Sequence, residues 1–266
     1  MSRIEKALEK AVRSRESGTG GESLKPDISG SAEARINNNY IVTVTRPESP
    51  AAEEYRRLKS MLIKQTKSAF LNTIMITSSV NGEGKTLTAV NLAVTLSQEI
   101  DHSTLLIDAD FRNPMTHEYL GIEYESGLSD YLRGGIDISE VLIKTGIGNM
   151  VLLPAGSAVK NPVELLSSKR MKALIKELKQ RYADRYIIVD TPPVLSCTEA
   201  IAVGSFVDGV VFVVREGRTG IKTVEDALNM MEGFNILGVV FNNASISNLD
   251  GDYSYYHYKY KKKGKE

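Results

Sequence analysis

The sequence predicts an α/β fold: a doubly wound, mostly parallel sheet with helices on both faces. Three observations predict it. From Asn72 onward, runs rich in Ile, Val and Leu alternate with helix-patterned segments. The runs are apolar almost throughout, not at every second residue, as in parallel strands covered on both sides. Between the first run, Ile74-Met75-Ile76, and a helical pattern stands Ser78-Ser79-Val80-Asn81-Gly82-Glu83-Gly84-Lys85-Thr86. A strand, a Gly-rich loop and a helix start in that order belong to doubly wound domains that bind phosphate.

Taken in order, residues 2–15 read as a short amphipathic helix. Ser2 with Glu5 fits a capping box, and Ile4, Leu8, Ala11 and Val12 share one face. That face suits docking on a partner, contact with a membrane, or a frayed capping helix; the pattern does not choose. Residues 17–33 are Gly/Ser-rich and polar, a linker composition. Pro50 opens a charged helix carrying Glu53, Arg56 and Lys59. Strands are expected at Thr73–Thr77, Thr104–Asp108, Met150–Leu153, Tyr186–Asp190, Gly209–Val214 and Gly238–Phe241. Leu87, Val90, Leu92, Ala93 and Leu96 mark the helix after the loop; Glu164 to Arg181 and Ile221 to Glu232 mark two more. Right-handed crossovers then bring the strand ends to the edge that carries the loop. The expected units are a helix and linker at 1–35, the α/β domain at 36–247 and a tail at 248–266.

Composition narrows the classes. Lys+Arg and Asp+Glu balance at 33 each over 266 residues, so no global field favours nucleic acid. The lone Cys197 cannot form an intrachain disulfide, which suits a cytoplasmic protein, and three scattered histidines give no zinc spacing. No apolar run approaches the ~18–20 residues of a membrane span. The N-terminus lacks the apolar core of a secretory signal.

The loop carries the chemistry. Backbone N–H groups and the helix start point at phosphates, Lys85 reaches β/γ oxygens, and the Thr86 hydroxyl can hold Mg²⁺. Ser79 stands where G-x-x-x-x-G-K-[ST] has its first Gly. Asn81, Gly82, Glu83, Gly84, Lys85, Thr86 and Leu87 are therefore the candidate nucleotide contacts, with Asn242, at the end of the last strand, as candidate adenine contact. Phosphoryl transfer also needs carboxylates converging on that loop. Two apolar strands end in them: Leu105-Leu106-Ile107-Asp108-Ala109-Asp110-Phe111-Arg112 and Ile187-Ile188-Val189-Asp190-Thr191-Pro192-Pro193. Asp190 is the candidate Walker B residue that orders the Mg²⁺ shell. Asp108 and Asp110 alternate, so both can face a nucleotide only if the chain turns at Ala109.

Asp-x-Asp-x-Arg after one strand, Asp-Thr-Pro-Pro after another and a tyrosine-rich terminus together resemble the bacterial tyrosine kinases that accompany capsule and exopolysaccharide synthesis. Glu53-x-x-Arg56-x-x-Lys59, Leu153-Pro-Ala-Gly156 and Asn161-Pro-Val-Glu-Leu-Leu166 are similar as well. The resemblance covers about Pro47 to Val240 and the tail, and Met1-Ser-Arg-Ile-Glu-Lys-Ala-Leu8 resembles the separate-chain members. It implies the P-loop NTPase fold of the deviant Walker, partitioning-ATPase-like group, with ATP and Mg²⁺ as cofactors. It implies that Lys85 binds β/γ-phosphate, that Thr86, Asp110 and Asp190 serve Mg²⁺, and that Asp108 is a candidate base. It implies autophosphorylation in trans of Tyr253, Tyr255, Tyr256, Tyr258 and Tyr260, and oligomer contacts, possibly in a ring, through Glu53, Arg56 and Lys59. Lys59 stands where the family has Arg and lacks its bidentate fork. Further implied are a membrane-embedded polysaccharide co-polymerase as activator, a cognate tyrosine phosphatase, and a place at the inner face of the plasma membrane.

Other readings stay open. The five tyrosines within 253–260, followed by Lys261-Lys262-Lys263, also suit a solvated terminus or an anionic-surface binder. Partitioning and site-placing ATPases resemble the chain at the loop and at both Asp strands. They carry a signature lysine where this chain has Val80, and they lack a tyrosine tail. Nitrogenase-type iron proteins need two cysteines per subunit. A nucleotide-binding scaffold without catalysis is the third class, opposed by the intact Lys85, Thr86, Asp108, Asp110 and Asp190.

Overall fold

A computed structural model describes residues 38–245, apart from 70, 101 and 182–184. The expected N-terminal helix and linker and the five tail tyrosines lie outside the described residues.

After a single turn, α1 (Val42–Thr45), the charged helix α2 runs Pro50–Thr66. Ser49 caps it, its side chain accepting from the Ala52 N–H at 3.2 Å, and Pro50 occupies the first turn, where its missing N–H costs nothing. Then follow β1 (Thr73–Ser78), α3 (Lys85–Ser97), β2 (Ser103–Asp108), α4 (Thr116–Leu120), α5 (Leu128–Arg133), α6 (Ile138–Val141), β3 (Ile143–Lys144) and β4 (Met150–Leu153). The rest is α7 (Pro162–Leu166), α8 (Lys169–Arg181), β5 (Arg185–Asp190), α9 (Thr198–Gly204), β6 (Gly209–Arg215), α10 (Ile221–Met230) and β7 (Ile236–Asn242).

The seven strands form one sheet in the order β3-β4-β2-β5-β1-β6-β7. Every pairing is parallel except β3 with β4. Side chains alternate across the sheet, and each face has its own core. Met75, Leu105, Ile107, Ile187, Val189 and Phe212 pack with Leu174 and Leu178 of α8. Ile74, Ile76, Leu106 and Ile188 pack with Leu92 and Leu96 of α3. Two covered faces explain why these strands read as unbroken apolar runs.

One expectation is corrected and one strand is new. The helix expected over Glu164–Arg181 is two helices, because the chain breaks at Ser167-Ser168 and Ser168 Oγ accepts the Met171 N–H at 3.1 Å, restarting the helix. The antiparallel β3 is too short to leave a pattern. The strand order places β1 between β5 and β6, with β2 beyond β5. Asp108 and Asp190 are register partners on adjacent strands, and both strand ends meet the loop that leaves β1.

Candidate active site

The loop between β1 and α3 is held from one side. Val80 N–H donates to Glu83 Oε2 at 2.9 Å, and Thr219 Oγ1 donates to Glu83 Oε1 at 2.6 Å. Asn242 Nδ2 donates to the Glu83 carbonyl at 2.8 Å, Arg218 Nε to that of Asn81 at 3.1 Å, and an Arg215 terminal nitrogen to that of Gly82 at 3.2 Å. Three successive loop carbonyls are thus taken by the end of β6, the turn after it and β7. The first-turn N–H groups of α3 have no intrahelical partner and remain for an anion. Gly84 has φ +91°, and a Cβ there would lie 2.0 Å from Asn242 Nδ2, so both backbone and space require glycine.

Lys85 opens α3 and turns toward the acids. Its Nζ donates to Asp110 Oδ2 at 2.7 Å and to Thr86 Oγ1 at 3.1 Å, and stands 3.9 Å from Asp190 Oδ1. Asp110 reaches it because β2 stops at Asp108. The Ala109 N–H crosses to the Asp190 carbonyl at 2.8 Å, and Asp108 Oδ1 accepts the Asp110 N–H at 3.1 Å. The two acids therefore part: Asp110 faces Lys85 and the cleft, and Asp108 does not line it. Asp108 Oδ2 accepts the Thr116 hydroxyl at 2.7 Å and its N–H at 3.1 Å, which fixes the start of α4.

Burial sets the protonation energetics. Asp190 is fully buried, and burial lifts its carboxyl to about 7 against the partial opposition of Lys85 and the nearby Thr86 hydroxyl. Burial likewise lifts Asp108 to about 6, although Thr116 opposes it. For Lys85 burial pulls the pKa down, but Asp190, Asp110 and Asp108 outweigh it and leave it above its ordinary value.

Both carboxylate oxygens of Asp190 are buried without a hydrogen-bond partner. Such a group calls for a cation or its water shell. Among the described residues no three His, Cys, Asp or Glu side chains cluster as a metal cage. Mg²⁺ does not need one: it keeps waters and binds through a few protein oxygens plus substrate phosphates. Thr86, Asp110 and Asp190 fit that mode.

A cleft of about 560 Å³ lies above this cluster. Asn81, Gly82, Gly84, Lys85, Thr86 and Leu87 form its loop wall; Asp110, Arg112, Asn113, Met115, Tyr119, Pro192, Pro193 and Cys197 form the rest. Asp108 and Asp190 lie buried outside this lining. Glu83 is 0 % exposed, its side chain faces Thr219 and its carbonyl is taken by Asn242, so it braces the loop and does not line the cleft. Asn242 binds the loop through Nδ2 while its Oδ1 accepts the Asn243 N–H at 2.9 Å, so both ends of its amide are engaged. On α2, Glu53 and Arg56 form an exposed pair at 2.8 Å, whereas Lys59 is tied to Glu99 of the same chain. Sequence reasoning missed Glu199, Tyr119, Arg215, Arg218 and Thr219; none belongs to a local motif.

Comparison with known proteins gives a consistent picture. The AAA domain family matches residues 71–236. The tyrosine-protein kinase YwqD of Bacillus subtilis is 32 % identical over 225 residues, covering 84 % of this chain and 93 % of that protein. The tyrosine-protein kinase wzc of Salmonella typhi is 35 % identical over 235 residues, or 87 % of this chain. This chain spans only about a third of the wzc length (32 %). The kinase domain of Escherichia coli tyrosine kinase ETK superposes with a TM-score of 0.71 at 32 % identity, covering 79 % of this chain and 84 % of that one.

Proposed function

Because this chain belongs to the bacterial tyrosine-protein kinases and to their AAA domain family, we propose that it transfers the γ-phosphate of ATP to tyrosine hydroxyls. The first acceptors are its own Tyr253, Tyr255, Tyr256, Tyr258 and Tyr260, reached in trans within a homo-oligomer. One observation carries the reading: Lys85, at the head of α3, is drawn to Asp110 beside an Asp190 whose buried oxygens have Lys85 at 3.9 Å but no hydrogen-bond partner. A triphosphate and its cation complete that arrangement.

The phenol oxygen forms a bond to the γ-phosphorus, the bond from γ-phosphorus to the bridging oxygen breaks, and ADP leaves with that electron pair. The phenol proton passes to a carboxylate. Asp108, the candidate base, takes it only by giving up its bond from Thr116. Lys85 exchanges Asp110 for β/γ oxygens and neutralises charge there. Mg²⁺, when bound, supplies further neutralisation of the phosphates, with Thr86, Asp110 and Asp190 as its protein partners.

We further propose that the chain regulates polymerisation and export of an exopolysaccharide or capsule. In this reading a membrane-embedded co-polymerase holds it at the inner face of the plasma membrane and activates it, and a tyrosine phosphatase resets it. Among the described residues no helix is long and apolar enough to cross a membrane. Exposed Glu53 and Arg56 support a subunit contact on α2; Lys59, paired with Glu99, adds little to it. Each phosphate brings about −1.5 to −2 charges, so phosphorylated tails repel and release the oligomer. Sizing the protein before and after phosphatase treatment tests that step, and an unchanged oligomer would reject it.

The central experiment incubates the chain with Mg·ATP and probes for phosphotyrosine. A strong signal is expected, lost on Lys85→Met and on removal of residues 253–260. Phosphate release with no phosphotyrosine assigns the chain to ATPases of the partitioning class, and nucleotide binding alone makes it a scaffold.

A further inference from the structure

Arg112 and Glu199 lie 87 positions apart and meet at the wall of the cleft, Arg112 Nε donating to Glu199 Oε1 at 2.7 Å. The two ends of this pair differ. Glu199 is 1 % exposed and its Oε2 is buried without a partner, while the Arg112 side chain is 56 % exposed. A pair so open at one end contributes little to stability. Its effect is orientation: a buried carboxylate holds the guanidinium by Nε and leaves the two terminal nitrogens outside that contact. Among the described residues those terminal nitrogens have no hydrogen-bond partner. Arg112 lines the same cleft as Lys85 and Asp110.

A planar guanidinium fork suits a carboxylate. The phosphates already have Lys85 and the start of α3 on the loop wall. Arg112 lines the cleft and is open to solvent, so its charge is accessible to an incoming peptide. The chain carries a complementary segment: Asp250-Gly251-Asp252 precedes Tyr253, whereas Lys259 precedes Tyr260. Those residues lie outside the described part, and their chemistry is read from the sequence.

We infer that Arg112, oriented by Glu199, is a specificity-determining residue that selects acceptor tyrosines preceded by a carboxylate, so that Tyr253 is phosphorylated ahead of Tyr260. The inference rests on the tyrosine-kinase reading. Arg112 touches the acceptor; Glu199 is a positioning residue.

The test uses the full chain with Mg·ATP, following phosphorylation at Tyr253 and Tyr260 separately by mass spectrometry. The ratio of the two initial rates should favour Tyr253 by about two- to fivefold, the range of a half-exposed ion pair, and should shrink in high salt. Arg112→Gln should bring the ratio close to one. So should Asp250→Asn with Asp252→Asn, and combining all three should lower it no further. Glu199→Ala should lose the ratio and Glu199→Gln, which keeps the accepting oxygen, should restore most of it; a purely structural role would slow both sites together. An unchanged ratio in Arg112→Gln overturns the inference. So does equal slowing of both sites with a raised KM for ATP, which would assign Arg112 to the phosphates. No phosphotyrosine at any site in the unaltered chain removes the kinase reading itself, and the inference with it.

Discussion

Lys85 and Asp110 form a buried ion pair, Nζ to Oδ2 2.7 Å, with side chains 9 % and 2 % exposed. Asp190 and Asp108 add to the negative charge on the same small volume, so one lysine faces three acids. Removing one partner of a buried pair costs about 3–5 kcal/mol where the remaining charge cannot reach water. Here some charge can be neutralised by protonation, which reduces the loss.

Lys85→Met should therefore do two things. Phosphotransfer should fall by about a hundred- to thousandfold or more, since a preorganised cation on the developing charge is gone. The nucleotide-free fold should also lose about 2 kcal/mol at pH 8, and less at pH 5, where the acids take up protons instead. Thermal unfolding at the two pH values checks the second part. Adding Asp110→Asn should return stability without returning activity.

Asp190→Asn separates stability from function in the opposite direction. The folded-state pKa of Asp190 is raised from 3.8 to about 7. The folded protein then holds this proton more tightly than the unfolded chain. The associated stability is fully present below about pH 4 and is lost as pH rises through about 7. Asparagine removes the charge, so the variant should melt higher than the parent at pH 8, by about 1–2 kcal/mol, and equally near pH 4. Its phosphotransfer should fall by about a hundredfold or more. A variant that melts lower at pH 8 would show that the Asp190 charge is compensated in the fold.

The parts of this design that were legible in the sequence are local. β1, β2, β4, β5 and β6 are apolar runs because both sheet faces are covered, and such runs need no tertiary information. Lys85, Thr86, Asp110 and Asp190 were legible because each belongs to a strand end or a loop with its own spacing. What stayed hidden depends on distant partners. Thr219 reaches Glu83 across 136 positions and Glu199 reaches Arg112 across 87, so neither leaves a pattern near its own place. The Asp108 side chain was legible as an acid, but its commitment to Thr116 depends on where β2 stops. Ser168 hid a helix break because a serine inside a helical pattern looks the same as one that caps it.

Gly84 should be irreplaceable for two separable reasons. Alanine at φ +91° carries a left-handed strain of about 1–2 kcal/mol. Its Cβ would also meet Asn242 Nδ2 at 2.0 Å. Gly84→Ala should then cost more than backbone strain alone, and Asn242→Ala should recover part of the excess. Denaturant midpoints of the two single variants and the double variant should give a coupling of about 1 kcal/mol. Additive effects would mean that the loop moves away from Asn242 without cost.

Glu83 offers the sharpest test of loop bracing. Its carboxylate accepts from the Val80 N–H at 2.9 Å and from the Thr219 hydroxyl at 2.6 Å, fully buried. Alanine leaves the Val80 N–H without an acceptor, which should cost about 1–3 kcal/mol. Glutamine is gentler: its oxygen can stay on Val80, and the Thr219 hydroxyl can reverse and accept from the new amide, although the long contact from the Arg215 N–H to Oε1 at 3.4 Å is lost. Glu83→Gln should therefore lose less than about 1 kcal/mol. The brace holds the loop but touches no reacting atom, so a loosened loop should weaken ATP binding before it slows the chemical step. Glu83→Ala should raise KM for ATP by about tenfold with a smaller fall in kcat. Steady-state kinetics at several ATP concentrations, with unfolding curves for both variants, check this. A fall in kcat at unchanged KM would mean that Glu83 acts on the transferred phosphate and not on the loop.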